Sequence, residues 1–180
     1  MWSVVEKTAL AEAEIEYQDH TSTTIWVKFP ITAPPLPALA DAAVVIWTTT
    51  PWTMPGNRAI AFGAAMDYVG LVVEAVAEGA AAAPGERYLV AKARAAVFCE
   101  TAGITRASPF WEGKGAALDG AVTRHPLAGR GYEFPVPLLP GDFVTEEDGT
   151  GFVHIAPGHG ADDFELARKH GIEAPQTVDG

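Results

Sequence analysis

The chain has a single cysteine, Cys99, among its 180 residues, which excludes an internal disulfide and any zinc site built from cysteine pairs. Basic residues are also few: 12 lysines and arginines stand against 23 aspartates and glutamates, so the net charge is −11. A chain with this balance offers no large electrostatic footprint to nucleic acid. Any polynucleotide that it binds must be held mostly by another part of a larger assembly.

Long apolar runs are absent as well. No segment approaches the length of a membrane-spanning helix, and the first residues lack the basic stretch and apolar core of a signal peptide. We therefore expect a cytoplasmic protein without membrane contact. The hydrophobic content of 48% still allows a substantial core, and 180 residues fit one domain. Residues 1–14 and 172–180 are expected to be connecting segments at its two ends.

Few side chains could act as nucleophiles. The only serines are Ser3, Ser22 and Ser108, and none lies in the G-x-S-x-G context of a serine esterase. Cys99 follows Phe98 in an apolar segment of helical composition, so we expect a buried, unreactive thiol.

Most of the chain has the pattern of β-strands. Apolar and polar side chains alternate from Thr23 to Ile31, and residues 42–47 form a continuous apolar run that ends shortly before Pro51. Further strands are predicted at 58–62, 68–76, 87–90, 121–123 and 136–139, with 55–57 as a turn and a hairpin whose strand 142–145 leads into a turn at 146–149. Helices are predicted only at 92–102 and 162–170, ended by Gly103 and Gly171. These patterns predict an α+β, mostly β fold with a barrel-like sheet.

Residues able to do chemistry concentrate in one segment, Gly149 to Glu165. Its pattern is that of a turn, a short strand ending at His154, a glycine-rich loop containing His159, and a helix that begins with Asp162 and Asp163. A second polar cluster, the sequence WTTTPW at 47–52, ends a buried strand far upstream. We expect the two clusters to form one site.

Two kinds of ligand suit these residues. A metal-dependent hydrolase could use His154, His159 and Asp163, or Asp162 in its place, because imidazole and carboxylate are ordinary zinc ligands. Their spacing matches no tight metal signature, so no bound metal is expected. A small cationic ligand with an apolar side fits better, since a carboxylate binds an ammonium group, threonine hydroxyls bind an ester or carboxyl group, and a histidine ring shapes the space.

Three stretches resemble the editing domain inserted in the catalytic domain of isoleucyl-tRNA synthetase: Glu14 to Phe29, Trp47 to Asn57, and Gly149 to Glu165. The last stretch contains HIAPGHGADD and is similar to the isoleucyl pattern, whereas the leucyl and valyl relatives resemble G-T-G-A-V-x-x-x-P-A-H-D there. The resemblance covers essentially the whole chain. Gly56 and Phe152 are mild departures, where alanine and a smaller residue are common.

The resemblance implies a compact β-barrel with flanking helices, excised from a larger synthetase. The chain has no HIGH-like or KMSKS-like signature and no Rossmann pattern, so it is not expected to activate an amino acid with ATP. Editing would then need no cofactor, because ATP and Mg²⁺ are used only by the synthetic domain, which is absent here.

The implied activity is hydrolysis of the ester that joins mischarged valine to the terminal adenosine of isoleucine tRNA, with valyl-adenylate as a second candidate substrate. The implied partners are the 3′ end of that tRNA, valine or valyl-adenylate, and the rest of the synthetase. An aminoacyl ester beside an ammonium group and a vicinal hydroxyl is already reactive, so anchoring it next to an ordered water can supply much of the acceleration.

Roles for individual residues follow from the resemblance. Asp163 would bind the α-ammonium group, Thr48, Thr49 and Thr50 would contact the ester, the ribose or the water, and His154 would wall the side-chain pocket. Further residues assigned to the substrate side, where they shape the adenosine pocket or the loop, are Trp47, Asn57, Gly158, His159, Gly160 and Asp162.

One alternative from another class remains open, a non-catalytic module that only receives the acceptor end of tRNA. The acidic balance weighs against it, because docking without chemistry would favour a basic stripe. The histidines outside the two clusters, His20, His125 and His170, are expected to be structural.

Overall fold

The computed structural model describes residues 2–3, 5–14, 16–19 and 21–177. His20 and the outer ends of the two predicted connecting segments, residue 1 and residues 178–180, lie outside this part of the chain. Its strands are β1 (Trp2–Ser3), β2 (Thr8–Ala9), β3 (Ile25–Ala33), β4 (Ala42–Thr48), β5 (Ala59–Phe62), β6 (Asp67–Val76), β7 (Arg87–Ala91), β8 (Ile104–Lys114), β9 (Val122–Arg124), β10 (Pro135–Pro140) and β11 (Phe152–Ile155). The α-helices are α1 (Ala95–Ala102) and α2 (Ala161–Lys169), and short 3₁₀ helices lie at Glu12–Glu14, Pro37–Leu39, Pro51–Gly56, Lys92–Arg94 and Gly115–Leu118.

Strands β3 to β11 form one sheet. Their spatial order is β11-β5-β10-β9-β3-β4-β7-β6-β8, and only the β10–β5 and β4–β7 pairs are parallel. Thr150, just before β11, donates its hydroxyl to the Val45 carbonyl of β4 (2.5 Å) and accepts the Ala91 amide at its own carbonyl (2.7 Å). The sheet therefore curls until its β11 edge lies against β4, which confirms the predicted mostly β, barrel-like fold.

Side-chain alternation divides the core between the two faces of this sheet. Phe29, Val44 and Ile46 point to the barrel interior, whereas Val45 packs on the outer face with Phe98 of α1. Strand β4 is covered on both faces, which explains its unbroken apolar run. Burying each such large side chain contributes about 1.5–3 kcal/mol.

The two helices cover the outside of the barrel. Helix α1 ends at Gly103, whose φ of 72° is the left-handed conformation that favours glycine, as the sequence indicated. Helix α2 packs through Leu166 against Ile155 of β11, so its first turn stays beside the end of that strand. None of the described helices is long and apolar enough to cross a membrane.

The sequence prediction missed the longest strand. Strand β8 is an edge strand paired only with β6 among the described residues, and its register shifts at Phe110 and between Ile104 and Ala107 conceal the alternating pattern. Because only Ile104 of its eleven residues is buried, hydrophobic alternation is weak there.

Two other local predictions were wrong. Residues 142–145 form a turn followed by irregular backbone rather than a hairpin strand, and β11 pairs instead with the distant β5. Residues 55–57 are not an isolated turn, since Pro51–Gly56 forms a 3₁₀ helix.

Cys99 is half-buried rather than buried, although burial raises the pKa of its thiol, as expected for an unreactive group.

Candidate functional site

A cavity of about 350 Å³ lies between the end of β4 and the end of β11. The fold places it there because β11 curls against β4 and α2 begins directly after the loop that follows β11. The predicted site residues that line it come from both sequence clusters: Trp47, Thr48, Thr49, Thr50, His154, His159 and Asp163.

One wall of the cavity is the threonine segment at the end of β4. The buried Thr48 hydroxyl accepts the Thr50 amide at 3.1 Å and lies 3.1 Å from the Thr50 hydroxyl. Thr49 is exposed, and its carbonyl accepts a hydrogen bond from Ser22 (2.9 Å). The segment is thus a turn held by its own hydroxyl groups, with Thr49 and Thr50 left partly open to a ligand.

The inner wall is His154 of β11, which is only 9% exposed. Its Nε2 lies 2.9 Å from the Thr53 hydroxyl, and its Nδ1 lies 3.3 Å from the side-chain nitrogen of Asn57. Burial, together with the nearby His159 and His125, lowers the pKa of His154 to about 4. The ring is therefore neutral at neutral pH.

The opposite wall is Asp163 in the first turn of α2. Its Oδ2 accepts the Ala156 amide (2.8 Å), which ties the carboxylate to the end of β11. Burial raises the pKa of Asp163, while this amide and His159 act in the opposite direction. Gly160 lies close to this carboxylate: a Cβ at residue 160 would be 3.1 Å from Asp163 Cγ.

His159 lies at the rim and contacts the end of the described chain. Its Nε2 is 2.5 Å from the Thr177 hydroxyl, and a Cβ on Gly158 would lie 2.9 Å from the Pro175 carbonyl oxygen. The segment 172–177 therefore covers the glycine-rich loop from outside.

Four of the predicted site residues do not line the cavity. Asn57 is 0% exposed and lies behind His154, and Asp162 is exposed and faces a separate groove beside Glu165 and Lys169. Gly158 and Gly160 shape the loop and the position of Asp163 without facing the cavity themselves.

Some residues that line the cavity were not predicted from the sequence. Thr53 is buried, lines the cavity and bonds to both His154 and the Thr50 carbonyl (2.8 Å). Its position three residues after Thr50, one 3₁₀ turn along, was the available signal. Asp148 and Thr145 line the mouth from the loop that had been predicted as a hairpin.

The arrangement leaves His154 poorly suited to metal binding, because both of its ring nitrogens already have protein partners. Within the described part of the chain, no group of three His, Cys, Asp or Glu side chains is placed to hold a metal ion. His125 is a core residue: its Nε2 meets the Met54 carbonyl (3.1 Å) and its Nδ1 accepts the Leu127 amide (3.1 Å).

Comparisons with known proteins identify relatives of this chain. Isoleucine–tRNA ligase of Gluconobacter oxydans is 56% identical over 180 residues, which cover 99% of this chain and 19% of the relative. The enzyme of Bradyrhizobium diazoefficiens is 53% identical over 192 residues, again 99% of this chain and 19% of the relative, and that of Pelagibacter ubique is 44% identical over 180 residues, 100% and 19%. The chain thus spans about a fifth of the length of these relatives. No protein-family model matches the chain.

Solved structures give the same fold. The crystal structure of GlLeuRS-CP1 has a TM-score of 0.62 at 19% identity and covers 84% of this chain and 65% of that one. The editing domain of P. knowlesi cytosolic leucyl-tRNA synthetase has a TM-score of 0.60 at 13% identity and covers 82% and 62%. Since relatives of 44–56% identity cover at least 99% of it, the chain belongs to the isoleucine–tRNA ligase family, and its fold is that of the leucyl-tRNA synthetase editing domain.

Proposed function

We propose that the cavity hydrolyses the ester between a misattached valine and the terminal adenosine of isoleucine tRNA, and that it excludes isoleucine by size. One observation carries this proposal: an anionic group, a turn of hydroxyl groups and a rigid neutral ring face a single small cavity. These three surfaces match the ammonium group, the ester and the apolar side chain of an aminoacyl ester. Membership of the isoleucine–tRNA ligase family supports the choice of tRNA.

Asp163 supplies the anchor for the ammonium group. A carboxylate and an ammonium form a charge-assisted hydrogen bond, which is stronger in a partly buried site than in water. Burial raises the pKa of Asp163, but the cation of the substrate would favour the ionised form. Substrate binding therefore completes a charge pair that the empty cavity lacks.

The threonine turn orients the ester and the attacking water. In the reaction, the water oxygen bonds to the carbonyl carbon, the bond from that carbon to the ribose oxygen breaks, and the ribose oxygen takes up a proton. Thr49 and Thr50 lie where hydroxyl groups can hold the water and the ester against Asp163. Because His154 is neutral and bonded at both nitrogens, rate enhancement rests mainly on positioning.

Selection against isoleucine falls to His154 and Thr53. A pocket that merely fits valine better discriminates by about 1–3 kcal/mol per methylene group. A ring held in place by two hydrogen bonds can instead overlap the additional methylene of isoleucine, and overpacking adds about 1–3 kcal/mol to the discrimination.

Most of the tRNA must be bound outside this chain. Its net charge of −11 provides little attraction for phosphate groups, and the chain spans only 19% of the length of its relatives. We propose that the rest of the synthetase delivers the 3′ end, that valyl-adenylate is a second substrate, and that the reaction takes place in the cytoplasm without a cofactor.

The test is a deacylation assay on isoleucine tRNA charged with valine or with isoleucine, run with and without a chelator. We expect release of valine well above the rate of spontaneous hydrolysis, little release of isoleucine, and no effect of the chelator. Binding of charged tRNA without release would instead identify a docking module. Loss of activity with the chelator and its recovery with a divalent ion would identify a metal-dependent hydrolase.

A further inference from the structure

Asn57 lies behind the cavity, yet it contacts the ring that forms the inner wall. Its side-chain nitrogen lies 2.9 Å from the Ala59 carbonyl oxygen and 3.3 Å from His154 Nδ1. The Ala59 contact fixes the orientation of the amide, because a carbonyl oxygen accepts hydrogen bonds and the group facing it must donate. The same nitrogen therefore presents its second hydrogen to His154 Nδ1.

This donor sets the direction of a chain of hydrogen bonds. Nδ1 of His154 must be unprotonated to accept from Asn57, so in the neutral ring Nε2 carries the hydrogen and donates to the Thr53 hydroxyl (2.9 Å). The Thr53 hydroxyl then donates to the Thr50 carbonyl (2.8 Å). An amide nitrogen at one end and a carbonyl oxygen at the other permit only this direction.

The other end of the Asn57 side chain indicates that stability alone does not explain the residue. Its Oδ1 is buried without a hydrogen-bond partner among the described residues, while the side chain as a whole is 0% exposed. A buried polar atom without a partner is unfavourable and rare in folded proteins. The contacts of the side-chain nitrogen with Ala59 and His154, rather than any contact of Oδ1, therefore account for an amide at this position.

We propose that Asn57 is a positioning residue that fixes His154 in the Nε2-protonated tautomer and thereby sets the selectivity of the cavity. The ring is held at both nitrogens, so it can neither rotate away from a larger side chain nor take a proton from water. The link to selectivity rests on the proposed function, whereas the tautomer does not.

His125 provides a reference within the same chain. Its Nε2 meets the Met54 carbonyl oxygen (3.1 Å) and its Nδ1 accepts the Leu127 amide (3.1 Å). Backbone groups therefore impose the same tautomer on His125 without any contribution from Asn57.

The experiment is ¹⁵N NMR of the histidine ring nitrogens at neutral pH, in which protonated and unprotonated nitrogens are well separated. We expect both His154 and His125 of the parent protein to have Nε2 protonated and Nδ1 unprotonated. In Asn57→Asp the carboxylate can only accept, so the hydrogen of His154 should move to Nδ1 while the signals of His125 stay unchanged. A parent His154 protonated at Nδ1 would overturn the proposal, as would an unchanged tautomer in a folded Asn57→Asp.

Thr53→Val is the matched second variant. It removes the acceptor for Nε2 but keeps the Asn57 donor, so the tautomer of His154 should persist. If the tautomer of His154 changes in this variant, Thr53 rather than Asn57 determines it, and the proposed role of Asn57 is overturned. If Asn57→Asp does not fold, which the His125 signals would reveal, the parent and Thr53→Val spectra still decide the matter.

Selectivity is the second readout. In Asn57→Asp we expect the ratio of valine release to isoleucine release to fall by at least about tenfold. This is the lower end of the discrimination that one methylene group provides. An unchanged ratio together with a switched tautomer would overturn the link to selectivity. If the parent protein releases neither amino acid, the proposed function fails, and the NMR result remains a test of the tautomer.

Discussion

The walls of the cavity differ in how completely their polar groups are satisfied. On the His154 wall, both ring nitrogens and the Thr53 hydroxyl are engaged in protein hydrogen bonds. Asp163 has one oxygen bonded to the Ala156 amide and lines the same cavity as the half-open threonine turn. A wall with satisfied groups can exclude a ligand by shape, whereas a wall with remaining acceptors can bind one. In the proposed function, Asp163 and the threonine turn therefore form the binding wall, and His154 with Thr53 forms the rejecting wall.

The binding wall can be weakened by removing its charge. In Asp163→Asn the side chain keeps an acceptor for the Ala156 amide but loses the ion pair with the substrate, so we expect kcat/KM for valine release to fall about 10- to 150-fold, as for loss of a hydrogen bond of 1.5–3 kcal/mol to a charged group. Asp162→Asn is the matched control, because this neighbouring carboxylate faces away from the cavity. Equal losses in the two variants would mean that general electrostatics, rather than an anchor, explain the effect.

The rejecting wall can be opened by truncation. His154→Ala removes the ring that we propose occupies the space of the additional methylene, so we expect valine release to continue and isoleucine release to rise, with the ratio of the two rates falling at least about tenfold. The measurement is that ratio at equal protein concentration. An unchanged ratio would place selection in the threonine segment, and loss of both activities would make His154 part of the machinery that activates water.

The sequence predicted the binding wall better than the rejecting one. The threonines and Asp163 stand out because polar residues at the ends of apolar strands and in the first turn of a helix are visible as patterns. Thr53 and the contact of Asn57 with His154 arise only when a 3₁₀ helix and β11 meet, and nothing in local periodicity encodes that meeting. Residue pattern alone does not separate Asp162 from Asp163, and the choice of Asp163 came from the resemblance to the editing domain. In the structure the packing of α2 places Asp163 at the cavity and Asp162 at a separate groove.

The fold, too, could be predicted from the sequence only in part. Strands with one buried face or two, such as β3 and β4, were confirmed because burial imposes a clear pattern. The edge strand β8 was missed, and the pairing of β11 with β5 was not foreseen, because pairing between distant strands depends on the curl of the whole sheet.

A smaller change tests how closely the binding wall is fitted. At Gly160, φ is −151°, a conformation open to any residue, so alanine introduces no backbone strain and only brings a Cβ to 3.1 Å from Asp163 Cγ. The carboxylate must shift by a few tenths of an ångström, and we expect a loss of valine release well below the roughly 100-fold that a 1 Å displacement can cause. The checks are kcat/KM and the melting temperature, which should change little. An effect as large as that of Asp163→Asn would mean that the loop itself has moved.

The smallest effect is expected from pH, and it sharpens the comparison because each wall titrates differently. The ammonium group and the ester are common to valine and isoleucine substrates, and in the proposed function Asp163 binds both in the same way. The titration of these groups is therefore expected to cancel in the ratio of the two release rates. A titration of His154 would not cancel, since in the proposed function this ring contacts the part in which the two substrates differ. Its pKa is lowered to about 4, chiefly by burial and further by His159 and His125, so it stays neutral as the pH falls from 7.5 to 5.5.

We therefore expect the selectivity ratio to stay constant within about twofold over that range, although each separate rate changes. The measurement uses excess protein so that slow isoleucine release is detectable, with spontaneous hydrolysis subtracted at each pH. A step in the ratio near pH 6.5 would show that the ring gains a proton as an ordinary histidine does. In that case an imidazolium would have to donate from both nitrogens, and the Asn57 nitrogen, itself a donor, could not face it.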